Sequence, residues 1–235
     1  MTEKLRNAHE TQRLVYAMMA CYPSAESELR AGSLFQFLCA VVLSAQTTDA
    51  AVNKATPALF AAYPTPKAMA KASPSDIEPY IQTIGLYRNK AKFLSGLAQR
   101  LVDTFDGEVP KTRKDLESLP GVGRKTASVM LSAGFGEPAF AVDTHIKRLC
   151  RKFRFAPAEA KEREIERLMC EKLPPNLWHR AHHSILLFGR YQCVARKHDH
   201  NECLARLEEH LPTAEALAAW LKSEEDGGHA YRKPQ

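Results

Sequence analysis

The chain has 235 residues, with 33 Lys and Arg against 27 Asp and Glu for a formal charge of +6. That length can bury a core without disulfide staples, and a modest basic excess suits a polyanionic partner but equally an ordinary basic protein. The opening MTEKLRNAHE is polar, and no apolar run approaches the roughly 18 residues of a membrane span, so neither secretion nor membrane insertion is signalled. A soluble cytoplasmic protein without membrane association is expected. In that setting the six cysteines (Cys21, Cys39, Cys150, Cys170, Cys193 and Cys203) are reduced thiols, core fillers or metal ligands rather than disulfides.

Apolar residues recur at helical spacing in nearly every segment and no stretch alternates, which predicts an all-α fold. In chain order, helices are expected over 9–20, 33–44, 48–62 with a break before Pro57, 90–104, 123–133, 143–153, 158–172 and 175–189. Two further starts carry capping signals. Ser73-Pro74-Ser75-Asp76 offers an N-cap, a first-turn proline and a reciprocal carboxylate, and Thr112 with Asp115 repeats the box. Cys39, Cys150 and Cys170 fall within expected helices and read as core. No repeat or low-complexity linker is visible, and the polar end SEEDGGHAYRKPQ is expected to fray.

The most informative segment is LESLPGVGRKTASVMLSAG, residues 116–134, where one helix stops at a proline and two glycines and another begins at once. Gly121 and Gly123 permit tight backbone geometry and leave amides at the second helix's N-terminus able to hold a phosphate, a contact that carries no sequence information. An ordinary helix-helix turn has the same punctuation. Lys125 sits just inside that helix, where the positive end of the macrodipole disfavours an ammonium and makes a nucleophilic amine accessible. Read singly, a lysine at this position is more often a solvated phosphate contact. Downstream, in FAVDTHIKRLCRKF, Asp143 precedes an amphipathic helix, as an N-cap that could also stabilise positive charge developing on a sugar.

LPGVGRKTA at 119–127, together with VDTH at 142–145, resembles the helix-hairpin-helix and downstream aspartate of the endonuclease III family. The resemblance extends to LSAQTTD at 43–49, IGLYRNKA at 84–91 and FGRYQCVARK at 188–197, in the family's order. It implies a two-domain, all-helical glycosylase fold with its active site in an interdomain cleft. One domain is a six-helix block near 29–141, and the other joins 1–28 to 142–235. It further implies a bifunctional DNA glycosylase and abasic-site lyase of base excision repair, acting on oxidised pyrimidines. Lys125 would attack C1′ and displace the base, Asp143 would assist, and β-elimination would follow from the resulting Schiff base. Gln46 would fill the space left by an extruded nucleotide and Leu86 would wedge the base stack. Gly121, Gly123, Arg124, Thr144 and His145 would contact DNA. The implied partner is double-stranded DNA carrying damaged bases or abasic sites, bound by a monomer that is nucleoid-associated in a bacterium. The alternatives are a monofunctional mismatch glycosylase and a non-catalytic DNA-binding module.

The family usually holds a four-iron cluster with cysteines spaced six, two and five residues apart near the C-terminus, and this chain breaks the pattern. Counting from Cys193, the positions fall on His200, Cys203 and Glu209, so two of four thiolates remain. The expectation is a variant with no metal cofactor, in which Cys193 and Cys203 are relics or core thiols. The alternatives are an atypical [4Fe-4S] cluster, or zinc at Cys193, His200 and Cys203 with His210. Arg190, Arg196 and Lys197 are candidate phosphate contacts or simply solvated charges.

Overall fold

The structure is a computed structural model describing residues 4–226; the polar end from Gly227 lies outside the described residues. Among the described residues there are helices and connections but no strand. The elements are α1 (Ala8–Cys21), α2 (Leu34–Leu43), α3 (Asp49–Ala62), α4 (Pro66–Met69), α5 (Pro74–Ile81), α6 (Tyr87–Phe105), α7 (Arg113–Glu117) and α8 (Arg124–Val129), the last running into a π-helical turn, Met130–Gly134. Then come α9 (Thr144–Lys152), α10 (Glu162–Lys172), a 3-10 turn (Pro175–Leu177), α11 (Trp178–Tyr191), α12 (His200–Glu208) and α13 (Ala214–Asp226). The chain divides into two compact units. One is Glu28–Phe135, and the other joins the residues up to Ser27 with those from Gly136 onward.

Within Glu28–Phe135, α2 is apolar along almost its whole length because it is buried almost all round, with Phe35 and every residue from Leu38 to Leu43 inside. Against it pack α3, α6 and α8. The 19-residue α6 presents Ala91, Leu94, Leu97, Ala98 and Leu101 to the core at helical spacing, with Lys90 buried beside them. The break expected before Pro57 does not occur, and α3 passes through it. A proline removes one helical hydrogen bond, but Val52, Ala55 and Thr56 before it and Leu59 after it are all buried, so packing spans the defect. The start of α5 follows its capping signal, with the Asp76 carboxylate accepting from Ser73 N at 2.9 Å and Ser73 Oγ at 2.7 Å. Those bonds hold its pKa below the usual carboxylate value.

In the other unit α1 lies on α11, which in turn packs on α9. Phe153, Phe155 and Phe188 form its aromatic centre, and Phe140 and Val142 join that core. This is why residues 136–141, expected with the central block, belong instead with the terminal segments. Lys172 Nζ donates to Arg6 O at 2.8 Å and Phe155 O at 2.6 Å, and Arg6 Nε to Phe153 O at 3.0 Å, tying the N-terminal segment to the far part of the chain. The helix expected from 158 begins at Glu162, because Ala160 N closes a turn on Pro157 O at 3.1 Å. The helix α1 is set by a capping box: Asn7 Oδ1 accepts from Glu10 N and Glu10 Oε2 from Asn7 N, both at 2.9 Å. Asn7→Ala is therefore expected to lower stability by about 1 kcal/mol, read as a shift in the urea midpoint at unchanged slope.

Candidate active site

The hairpin is built from α7, a tight turn and α8. Thr112 Oγ1 accepts from Asp115 N at 3.1 Å to start α7. Its end is followed by Leu119, buried, and Pro120, which sits over Gly96 of α6. Gly121 has φ of +79°, and a Cβ there would lie 2.8 Å from Phe93 Cβ and 2.9 Å from its Cγ, so this glycine is required twice over. Gly123 differs. Its backbone is extended, as the N-cap of α8, and a Cβ would meet nothing within 4 Å. The space beside Gly123 is open and the residue is exposed, leaving the start of α8 approachable. Lys125 and Arg124, in the first turn, are half-buried, while Thr126, Ala127 and Ser128 face inward. Arg113 Nη1 donates to Ser128 Oγ at 2.9 Å, clamping the two helices of the hairpin.

Two loops of the same unit carry Gln46 and Leu86. Both residues adopt left-handed backbone, with φ of 57° and 60°. Gln46 is exposed, and Leu86 is 60 % exposed rather than the core residue its type suggests. A non-glycine residue in this region carries strain, which tends to gather where a side chain is aimed for function. The loops are tied together by Lys90, a residue that the sequence did not single out. Only 4 % exposed, its ammonium donates to Leu43 O at 2.9 Å and Thr47 Oγ1 at 2.8 Å, on either side of Gln46 in sequence. Its own N–H bonds to Leu86 O at 3.1 Å. Burial draws its pKa below the usual lysine value.

Asp143, Thr144 and His145 belong to the other unit, not to that of Lys125. Asp143 is half-buried and caps α9, Oδ1 accepting from Ile146 N at 2.8 Å. Thr144 is exposed and His145 half-buried. The segment leading into Asp143 is pinned by buried His182, whose Nδ1 donates to Ala141 O at 2.8 Å. Gly189 of α11 lets α9 approach closely, since a Cβ there would stand 3.1 Å from Leu149 Cδ1 and 3.2 Å from His145 Cβ. Neither His182 nor Gly189 was foreseen, because nothing local marks them.

In the connection after α11 and the start of α12, Cys193, His198, His200 and Cys203 bring one potential ligand atom each within 4.8 Å of one another. The chain thus has a group able to hold a metal ion, and the expectation of relic thiols and no metal finds no support in this geometry. His198 enters the group although sequence spacing did not select it. Glu209, the expected fourth cluster position, and His210 are exposed and take no part. Two thiols and two imidazoles do not fit the four-thiolate set of the family's cluster. Burial, then the facing Cys203 thiol, pushes the Cys193 thiol up to about 12. Burial followed by the charges of Lys152 and His198 lowers His200, favouring neutral imidazole. Cys39 and Cys150 are fully buried and their thiols are raised by burial, while Cys170 is only partly covered.

Residues 39–175 match the family model described as HhH-GPD superfamily base excision DNA repair protein. The chain is 44% identical over 182 residues to endonuclease III of Escherichia coli strain K12, covering 77% of this chain and 86% of that protein. Two solved structures superpose closely. A trapped endonuclease III–DNA covalent intermediate with an estranged adenine has a TM-score of 0.80 at 41% identity, over 82% of this chain and 91% of the other. A non-covalent endonuclease III–DNA complex has a TM-score of 0.82 at 37% identity, over 93% of this chain and 100% of the other. The chain belongs to the endonuclease III family of helix-hairpin-helix base excision repair proteins. No helix among the described residues is long and apolar enough to cross a membrane.

Three substitutions test this construction. Lys90→Met leaves Leu43 O and Thr47 Oγ1 without their buried donor and is expected to destabilise by about 1–3 kcal/mol, measured by denaturant unfolding. Gly121→Ala is expected to lose at least about 1–2 kcal/mol from the left-handed backbone, with the Phe93 clash added, whereas Gly123→Ala stays within about 0.5 kcal/mol of the parent.

Proposed function

We propose that the chain is a DNA glycosylase with abasic-site lyase activity, removing oxidised pyrimidines from double-stranded DNA as a monomer in the cytoplasm. The observation that carries this reading is the position of Lys125, half-buried in the first turn of α8, behind the open, exposed Gly123. A phosphate held by the amides there brings the adjacent sugar within reach of a lysine amine.

In this reading Lys125 Nζ bonds to C1′ as the C1′–base bond breaks and the base leaves with its electron pair. Opening of the sugar ring at C1′–O4′ gives an iminium, which acidifies the C2′ proton. Loss of that proton and of the 3′ phosphate from C3′ cuts the strand, and water then releases the lysine. Asp143 assists by stabilising positive charge and moving a proton. The target nucleotide must first leave the stack, at a cost of a few kcal/mol. Leu86 is the wedge and Gln46 the filler, roles supported by their exposure and by strained backbone that presents each side chain outward from a loop. Arg124, Thr144 and His145 contact the DNA backbone, joined by Arg196 and Lys197. None of these steps draws on the metal-holding group.

Borohydride is expected to trap the protein covalently on duplex DNA containing an oxidised pyrimidine, and Lys125→Gln to abolish trapping while retaining binding. A wild-type protein that releases base but cannot be trapped would mean a monofunctional glycosylase. Asp143→Asn is expected to slow single-turnover base release by about 10²- to 10⁴-fold, the range for a lost acid-base group. Gly123→Ala, for which the open space predicts unchanged stability, should weaken binding to damaged and intact duplex alike, because a phosphate contact is blind to sequence.

A further inference from the structure

We propose that Cys193, His198, His200 and Cys203 form a mononuclear zinc site, which in this chain takes the place of the family's iron-sulfur cluster. Two thiolates and two neutral imidazoles are a closed tetrahedral donor set of the kind that zinc favours. The dimensions agree. Bonds of about 2.3 Å to sulfur and 2.0–2.1 Å to nitrogen at tetrahedral angles separate the two donors by about 3.6 Å. Cys193 Sγ stands 3.5 Å from His198 Nε2 and 3.6 Å from His200 Nδ1. A four-iron cluster places each protein ligand on a different iron, and its ligand atoms must spread around that larger core. Here all four atoms lie within 4.8 Å, too close for it.

The surroundings orient the ligands. His198 Nδ1 donates to Arg196 O at 2.8 Å, which leaves the lone pair on Nε2 facing Cys193, the outer-shell arrangement usual for metal-bound histidine. Lys152 Nζ, 3.3 Å from that Nε2, is a cation beside the group, and on metal binding its hydrogen bond passes to a thiolate sulfur. Phe153 packs edge-on against His200, with ring centroids 4.8 Å apart, and Arg148 Nη2 fixes Cys193 O at 2.9 Å. Binding forms two Zn–S and two Zn–N bonds and releases the two thiol protons to solvent, giving a site of zero net charge. With four protein ligands and both cysteines buried, no position is left for substrate, so the ion fastens the α11–α12 connection and takes no part in catalysis.

The test is metal and sulfide analysis of the full chain purified anaerobically without chelating resin, followed by exchange with cobalt(II). The expected result is one zinc per chain and no acid-labile sulfide. Cobalt should give the intense visible bands of tetrahedral coordination with a thiolate charge-transfer band. His198→Gln should lower cobalt affinity at least roughly tenfold, the least that loss of even an outer-shell partner brings, and Glu209→Gln should leave it unchanged. Stoichiometric iron and sulfide would overturn the proposal, as would a wild-type chain that neither carries zinc nor takes up cobalt. Sensitivity to Glu209→Gln with indifference to His198→Gln would do so too. All of these readouts are independent of glycosylase activity.

Discussion

The backbone of Gly121 lies against Phe93 with no room for a Cβ, and much of the central unit's candidate site is organised around that approach. It seats the α7–α8 turn on α6, and so determines where α8 begins and where Lys125 stands. The same helix carries the other elements. Leu86 is its N-cap, Lys90 lies one turn in, Phe93 supports the hairpin turn and Gly96 accepts Pro120. Residues at these spacings lie along one side of a helix. A single rigid rod thereby sets the wedge candidate, the tether to the Gln46 loop and the hairpin relative to one another.

The two glycines of the hairpin do different work, although they look alike in sequence. Gly121 is demanded by the fold, through positive φ and steric exclusion. Gly123 has ordinary backbone and open space beside it, so the absence of a side chain there matters to what approaches from outside. A comparable division separates Gln46 and Leu86 from their neighbours. Each adopts a conformation that costs about 1–2 kcal/mol for a residue with a Cβ, and each is exposed, so burial of its own side chain does not compensate. The buried ammonium of Lys90 holds one loop, and the α6 helix beginning at Leu86 holds the other.

The proposed zinc site at the connection from α11 to α12 would be a family feature remade. Two of the four cluster thiolate positions are His200 and Glu209 here, and His198, outside the original spacing, lies with Cys193, His200 and Cys203 in the group that could hold a metal ion. The chemistry proposed for Lys125 and Asp143 moves protons and bond pairs without electron transfer, so the group in this loop can change without altering the reaction.

Sequence alone determined what local chemistry can specify. Helical periodicity and the absence of alternation predicted an all-α fold, caps at Ser73 and Thr112 marked two helix starts, and the PGVG turn with Lys125 marked the hairpin. The motifs that resemble the endonuclease III family were legible because each is contiguous. What only the tertiary structure decided involves partners distant in sequence or a change in burial. Nothing near Lys90 announces that its ammonium reaches Leu43 and Thr47, and Leu86 is apolar yet exposed. Pro57 sits in an unbroken helix because packing outweighs one lost hydrogen bond. His198 was passed over because ligand spacing along the chain is a poor guide where a loop folds back on itself. Local propensity is written in adjacent residues, whereas convergence depends on which surfaces the whole core brings together.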